Sequence, residues 1–367
     1  MYPVYAVLFA DAGLSPAEIS SLFVIWSVTT FLLELPSGLW ADMFSRRLLL
    51  VAAPLLAGAG FGLWAFVPSY PAFAAGFVLW GVGSALRSGT LQALVYEELE
   101  RVGAAGAYGR VIGRSESVSL LAVVAASGLA APLLAVGGYR ALGVVSVLVC
   151  VLGAVAGWSL PESRGGGEDE DEDGSFVGVV REGWRQVRGV PGVRGALVLS
   201  LVLMGVTSLD EYVPLVVRST GVAAAWVPLL VLVVTVGDAV GGWVSGRGVG
   251  RLPVVLGVGA VCLAVGSLGG SAAGLVLVAV AFGVFRWAMA AADARLQERI
   301  SDGSRATVTS LAGFGSEVVA VLAFAGWALG SRWADAGVLL GAAAVPYLVV
   351  AVVLGVCGWR RGVHREL

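Results

Sequence analysis

The sequence predicts an all-α membrane protein built from two similar bundles of six helices. Hydrophobic residues make up 58% of the 367 residues and charged residues only 13%, whereas about 25% are charged in an ordinary soluble domain. Apolar runs of membrane-spanning length follow one another along the chain. The pattern of the first half returns in the second half, and a polar segment separates the two.

The first bundle is predicted to comprise residues 1–160, and its first apolar run is short. At about 1.5 Å per residue, residues 1–10 cover only about half of a ~30 Å hydrocarbon core. We therefore expect a shortened first helix, or a start that lies upstream of this sequence. The run lacks the basic start and cleavage site of a signal peptide. The other predicted helices of this bundle are 17–40, 48–66, 72–95, 108–136 and 141–160.

The centre of the chain is polar. Residues 161–193 are predicted to form a cytosolic linker with an acidic run at 168–173 and an amphipathic helix at 176–190. The arginines of that helix suit an anionic membrane surface. The second bundle, residues 194–358, precedes a cytosolic tail at 359–367. Its predicted helices are 195–217, 223–246, 252–268, 272–295, 306–330 and 336–358.

The distribution of arginine predicts the orientation in the membrane. If the turn between the second and third helices is cytosolic, most arginines lie on that side, and only Arg140, Arg218 and Arg332 lie on the other. An excess of basic residues marks the cytosolic side. We therefore expect a multi-pass protein of the cell inner (plasma) membrane, with both termini in the cytosol.

The turn between the second and third helices carries a recognisable pattern. The segment from Glu34 to Arg47 reads ELPSGLWADMFSRR. Gly38, Asp42 and the pair Arg46 and Arg47 resemble the signature loop between helices two and three of the major facilitator superfamily (MFS). The resemblance implies an MFS-type bundle of twelve helices (6+6) in two pseudo-symmetric halves, with helix one shortened here. It also implies that this loop acts as a conformational latch.

The chain departs from the family pattern near this loop. Ser45 replaces the usual glycine after the acid. Arg46 and Arg47 are expected to anchor to phospholipid headgroups or to acids of the opposing half. Two further signatures, typical of drug–proton antiporters, are missing: Phe77 replaces an arginine in helix four, and Ala131 replaces a glycine before Pro132 in helix five.

A weaker copy of the loop occurs in the second bundle. Asp238 and Gly242 correspond to Glu34 and Gly38, but Gly246 stands where the acid of the loop is expected. We expect Glu34 and Asp238 to pair with arginines of helices four, ten or eleven and to contribute to gating. The predicted gating and motif residues are Glu34, Gly38, Asp42, Arg46, Arg47, Asp238 and Gly242.

Several ionisable residues lie inside predicted membrane helices. Each such charge costs roughly 2.5 to 3.5 kcal/mol, so it should face the bundle interior and find a partner. Asp210 and Glu211 are adjacent in helix seven, which lines the cavity in the family. Neighbouring carboxylates repel each other and burial favours the neutral form, so one of them should bind a proton readily. The candidate cavity residues are Asp210, Glu211, Tyr212, Arg87, Arg286, Glu116 and Glu317, although an interhelical ion pair is an equal alternative for each.

These features predict a secondary active transporter of a small organic molecule that works by alternating access. We expect proton-coupled efflux as a drug or metabolite antiporter. Uptake symport and a transport-dead sensor with the same fold are the alternatives. The proton gradient is the expected driving force, because no nucleotide-binding loop of the Gly-x-x-x-x-Gly-Lys type occurs. We expect a monomer in the lipid bilayer without cofactor, metal or nucleic acid. An enzyme is not expected, because the sequence has no catalytic constellation and its single histidine, His364, lies in the tail.

Overall fold

The computed structural model describes residues 1–88, 90–162, 191–299 and 305–356. Within these ranges it describes all side chains except those of 34–39, 41–43, 116, 191–193, 249, 297–299, 305–307, 309 and 310. The chain divides into two compact units, Met1–Glu170 and Asp171–Leu367. The predicted acidic run, amphipathic helix and tail lie outside the described residues. The predicted division into two bundles, linker and tail therefore stays a prediction.

Every regular element described in the first unit is a helix. Helix α1 contains seven residues. Helix α6 has a kink at Gly138 (φ 61°, ψ −158°), a conformation that glycine adopts readily, and thus covers the predicted helices five and six. The bounds are α1 Tyr5–Asp11, α2 Pro16–Met43, α3 Arg46–Phe66, α4 Tyr70–Arg87, α5 Thr90–Arg101 and α6 Tyr108–Trp158.

Aromatic side chains hold the short α1 in the first unit. Tyr5 and Phe9 are buried, and both rings pack against Trp64 of α3 and Phe77 of α4. The Trp64 indole Nε1 donates a hydrogen bond of 3.0 Å to the carbonyl oxygen of Phe73. The buried polar end of this tryptophan is therefore satisfied, as burial requires.

The predicted fourth helix, 72–95, is wrong as a continuous element. Helix α4 ends at Arg87, and Ser88 has an extended backbone (φ −60°, ψ 125°). Helix α5 begins at Thr90. The Ser-Gly pair at 88 and 89 explains the break, since serine and especially glycine are poor residues in a helix interior.

The second unit contains helices α7 to α14 among the described residues. Short 3-10 turns at Asp210–Tyr212, Ala224–Trp226 and Val249–Arg251 precede α8, α9 and α10. The bounds are α7 Pro191–Leu209, α8 Val213–Ser219, α9 Val227–Trp243, α10 Leu252–Leu268, α11 Gly274–Arg299, α12 Arg305–Gly330, α13 Ala336–Ala342 and α14 Ala344–Val356.

The predicted seventh helix, 195–217, falls within one helical segment, Arg194–Ser219, that is long enough to cross the membrane, but its geometry is not α-helical throughout. It is interrupted by the 3-10 turn at Asp210–Tyr212, in which the Val213 N–H donates to the Asp210 carbonyl oxygen. Pro214 follows in the first turn of α8. Because proline has no N–H and its ring clashes with the carbonyl four residues earlier, it prevents an α-helical bond at Asp210.

The two units repeat one packing pattern. In the first unit, α2 and α3 both pack against α4, and α3 packs against α6. In the second unit, α9 and α10 both pack against α11, and α10 packs against α14. Eight helical segments of the described chain are long and apolar enough to cross a membrane, and α10 is a shorter apolar helix. The described helices thus agree with an all-α membrane fold of two related halves.

Small residues allow the closest helix contacts. A β-carbon at Gly237 or Gly241 of α9 would overlap the carbonyl oxygen of Ala279 or Gly283 of α11. In the first unit, a β-carbon at Gly83 of α4 would lie 2.6 Å from the Ala53 carbonyl oxygen of α3. Membrane helices use such small residues because lipid offers little hydrophobic drive for association, so close van der Waals packing must supply it.

We predict that Gly241→Ala destabilises the second unit. The added methyl group meets backbone atoms of α11 that cannot move independently, so the free energy of unfolding should fall by roughly 1 to 3 kcal/mol. Denaturant unfolding in detergent micelles, followed by tryptophan fluorescence, measures this change. Gly242→Ala is the matched control, because its β-carbon would lie 3.6 Å from Arg286 Cγ, an ordinary contact. Equal stability of the two variants would contradict the packing described.

Candidate functional site

The turn between α2 and α3 is held by Ser45. Its hydroxyl accepts a hydrogen bond of 3.2 Å from the Leu48 N–H and caps α3. The same hydroxyl donates a bond of 2.5 Å to Glu162 Oε2, beyond the end of α6. The departure from the family pattern at this position therefore has a structural role that the sequence did not indicate.

The arginine pair of this turn binds within its own unit. Arg46 forms an ion pair with Glu97 of α5. The Arg47 guanidinium lies 5.0 Å from the ring centroid of Trp158, within cation–π range. The backbone N–H of Arg47 also donates a hydrogen bond of 3.4 Å to Glu162 Oε1. The contact of Arg46 thus differs from the expected anchoring to headgroups or to the opposing half, because α5 presents an acid beside it.

Glu97 and Glu162 are the acids that sequence reasoning missed. Glu97 lies in the second half of α5 and Glu162 follows the end of α6. Both belong to the side of the membrane predicted for the α2–α3 turn, and this shared side was the signal in the sequence that could have identified them. Burial alone would raise the pKa of the Glu162 carboxyl. Hydrogen bonds from Ser45 and from the backbone of Arg47 and Arg46, with the charge of Arg47, outweigh burial and lower that pKa.

The side chains of Glu34, Gly38 and Asp42 lie outside the described residues, although α2 includes all three positions. The structure therefore does not place the acid of the loop relative to the arginine pair. Their gating role stays a prediction.

The second unit contains an ion pair within its spans. Arg286 Nε of α11 lies 3.0 Å from Asp238 Oδ2 of α9. A β-carbon at Gly242, one turn after Asp238, would lie 3.6 Å from Arg286 Cγ, so this position adjoins the Arg286 side chain without requiring a glycine. Asp238 thus has an arginine of the predicted helix ten as its partner. The gating roles of Asp238 and Gly242, and a role of Arg286 in the cavity, stay predictions.

The weaker copy of the signature loop, in the second unit, follows α9. Gly246 has a φ of 82°, a left-handed conformation that other residues rarely adopt. This requirement accounts for a glycine where the acid of the loop is expected. The Trp287 indole Nε1 of α11 donates a hydrogen bond of 3.0 Å to the Arg247 carbonyl oxygen and so fixes the turn to α11.

The adjacent acids Asp210 and Glu211 lie in the 3-10 turn between α7 and α8, and both are partly buried. The following residue, Tyr212, is fully buried and stacks on Trp327 of α12, with ring centroids 3.8 Å apart and an interplanar angle of 9°. This stacking holds the interruption of the span in place.

The other candidate residues are dispersed among the helices. Arg87 is exposed at the end of α4, and Glu317 is partly buried in α12. The side chain of Glu116 in α6 lies outside the description. In the described part of the chain, no group of three or more His, Cys, Asp or Glu residues could hold a metal ion.

We predict that Glu162→Gln lowers stability in a pH-dependent manner. Because the folded-state pKa of Glu162 is depressed, its contribution is complete above the unfolded-state pKa of about 4.3 and is lost as the pH falls through the folded-state value. The variant should therefore lose roughly 1 kcal/mol at pH 7, after allowance for solvent screening. Unfolding in detergent between pH 7 and pH 3 tests this, with the exposed acid variant Glu100→Gln as control. A pH-independent difference would contradict it.

We predict that Asp238 and Arg286 are energetically coupled. Asp238→Asn and Arg286→Gln should each lower stability, because each leaves its partner charged in a membrane span. The double variant should lose less than the sum, with a coupling of roughly 0.5 to 3 kcal/mol. Asp238→Asn with the exposed Arg332→Gln is the control pair, which should be additive. Additivity in the first cycle would show that this ion pair has no energetic role.

Comparison with known proteins agrees with the architecture. The family model described as the Major Facilitator Superfamily matches residues 1–324. The nucleoside transporter NupG is similar in fold, with a TM-score of 0.68, 12% identity and coverage of 96% of this chain and 92% of that one. A D-xylose–proton symporter has a TM-score of 0.66, 16% identity and coverage of 97% and 91%.

An auto-inhibited peptide transporter of the POT family has a TM-score of 0.65, 14% identity and coverage of 99% of this chain and 94% of that one. A search among curated proteins finds no match. Since the family model covers most of the sequence, the chain belongs to the major facilitator superfamily and is a multi-pass membrane transporter rather than an enzyme.

Proposed function

We propose that this secondary transporter exports a cationic amphipathic organic molecule in exchange for protons, by alternating access. The observation that carries the proposal is the placement of Asp210 and Glu211. Both acids lie in a 3-10 interruption of an apolar segment, Arg194–Ser219, that is long enough to cross the membrane. In membrane transporters, interrupted helices occur where the backbone lines a cavity or binds a substrate or ion.

The chemistry of the two acids supports proton exchange. Adjacent carboxylates in a low-dielectric site cannot both remain ionised at low cost, so one of them readily takes up a proton. A cationic substrate would be attracted to the same carboxylates. Because a proton and a cation compete for one site, inward proton movement would drive the cation outward. This competition is the physical basis for antiport.

The contacts within each unit support the alternating-access part of the proposal. Alternating access requires each half to move largely as a rigid body. In the first unit, Arg46, Ser45 and Glu162 connect the α2–α3 turn to α5 and to the end of α6. In the second unit, Asp238 and Arg286 connect α9 to α11. Such connections would stiffen each half.

Uptake by proton symport is the second candidate. The observation in its favour is that one solved structure of the same fold is named a D-xylose–proton symporter. Symport requires that proton and substrate bind together rather than compete. The direction of substrate movement under an imposed pH gradient separates the two candidates.

We predict that Glu211→Gln weakens the response of transport to a pH gradient. Purified protein in liposomes is tested with ethidium as the cationic probe and with uridine and D-xylose as neutral probes. The gradient should accelerate ethidium movement against the proton flow in the parent. In the variant this acceleration should fall by about fivefold or more, the lower range of coupling between binding sites. Asp210→Asn is measured in parallel.

Glu98→Gln, an acid of α5 outside the candidate spans, is the matched control and should keep the gradient response. An unchanged response in both the Glu211 and Asp210 variants would remove these acids from the mechanism. Accumulation of a probe together with protons would replace antiport by symport. A folded protein that moves none of the probes would support the sensor alternative.

A further inference from the structure

A groove of about 600 Å³ lies on the second unit between α9 and α10, with α11 as its floor. Helices α9 and α10 both pack against α11 but make few contacts with each other, which leaves the space open. The small residues Gly237, Gly241 and Gly283 contribute to the lining. Because these glycines have no side chains, the backbones of α9 and α11 form part of the groove surface.

The walls of this groove are apolar and open. Val236, Val240 and Val280 line it and are 46–51% exposed. The ion pair between Asp238 and Arg286 is not part of the lining. In a bilayer, an exposed apolar surface of this kind is in contact with acyl chains rather than with water.

One end of the groove is basic. Arg247 and Arg251 line it there, in the segment that connects α9 to α10. Both side chains are exposed, and within the described residues neither guanidinium has an acidic partner. Because this segment joins two apolar helices, it lies where the chain leaves the hydrocarbon core, at the depth of the lipid headgroups.

The length of the groove matches one leaflet. Its lining extends from Val233 of α9 to Val244, the residue that follows this helix, and on α11 from Val276 to Trp287. At 1.5 Å per residue each stretch covers about 17 Å. This is close to half of a hydrocarbon core of about 30 Å. A molecule that fills the groove therefore has a charged end at the surface and an apolar part that ends near the membrane midplane.

We propose that this groove binds one anionic phospholipid. The lipid belongs to the leaflet whose headgroups lie at the segment that connects α9 to α10. Its phosphate pairs with Arg247 and Arg251, and an acyl chain lies against the valines and the glycine floor. Arginine guanidinium groups suit phosphate because they donate paired hydrogen bonds to its oxygens. The Trp287 bond to the Arg247 carbonyl oxygen holds the basic turn against the groove.

Native mass spectrometry of the full-length chain in detergent tests the proposal. The probes are dioleoyl-phosphatidylglycerol and dioleoyl-phosphatidylcholine, which share acyl chains and differ in net charge. We expect a clear preference for phosphatidylglycerol. Arg247→Gln with Arg251→Gln should weaken its binding by about fivefold for each arginine, about 25-fold in all. Binding of phosphatidylcholine should fall less, because its choline cation already offsets the charge of its phosphate.

Three variants distinguish lipid binding in the groove from a general effect of protein charge. Arg247→Lys with Arg251→Lys keeps the charge and should keep most of the binding. Arg140→Gln with Arg332→Gln removes equal charge from two exposed positions and should leave binding unchanged. Val280→Trp fills the apolar part and should weaken the binding of phosphatidylglycerol.

Equal binding of the two lipids by the parent would overturn the proposal. Unchanged lipid binding in Val280→Trp would also overturn it, because the acyl chain would then lie elsewhere. Competition by sn-glycerol 3-phosphate with an affinity equal to that of the lipid would show a site for soluble phosphate instead.

Discussion

The crossing of α9 and α11 is the interaction on which much of the second unit depends. Gly237 and Gly241 bring the backbone of α9 against Ala279 and Gly283 of α11, so the two helices approach more closely than side chains would permit. On one side of this crossing, Asp238 reaches Arg286. On another, the approach leaves an apolar groove that ends at two arginines. The close crossing of these two helices thus positions both an ion pair and the proposed lipid site.

The first unit stabilises the charged residues of its α2–α3 turn in a different way. Its α2–α3 turn binds acids from the ends of two other helices, Glu97 and Glu162. The second unit has a left-handed glycine, Gly246, and a tryptophan contact at the corresponding turn. The two halves therefore share helix packing but differ in the chemistry of their turns. The first turn is therefore tied by ionic contacts to its own unit, whereas the second exposes two arginines.

Interrupted helices are the features that sequence periodicity represented least well. The apolar pattern continues through Ser88 and through Asp210, so it predicts a continuous helix at both places. Backbone chemistry decided otherwise, because proline at 214 removes a hydrogen bond and the Ser-Gly pair at 88 weakens the helix. The second interruption places Asp210 and Glu211 in a 3-10 turn, and the candidate transport chemistry depends on that placement.

The sequence by itself determined the membrane class, most of the apolar helical segments and the relation between the halves. Composition and periodicity suffice for these, because lipid requires long apolar helices wherever the chain crosses it. Only the tertiary structure decided which charges meet, since Arg46 and Glu97, or Ser45 and Glu162, are distant in the chain and become neighbours through helix packing. The groove beside Arg247 and Arg251 likewise depends on the angle and closeness at which helices cross, which spacing along a single chain does not specify.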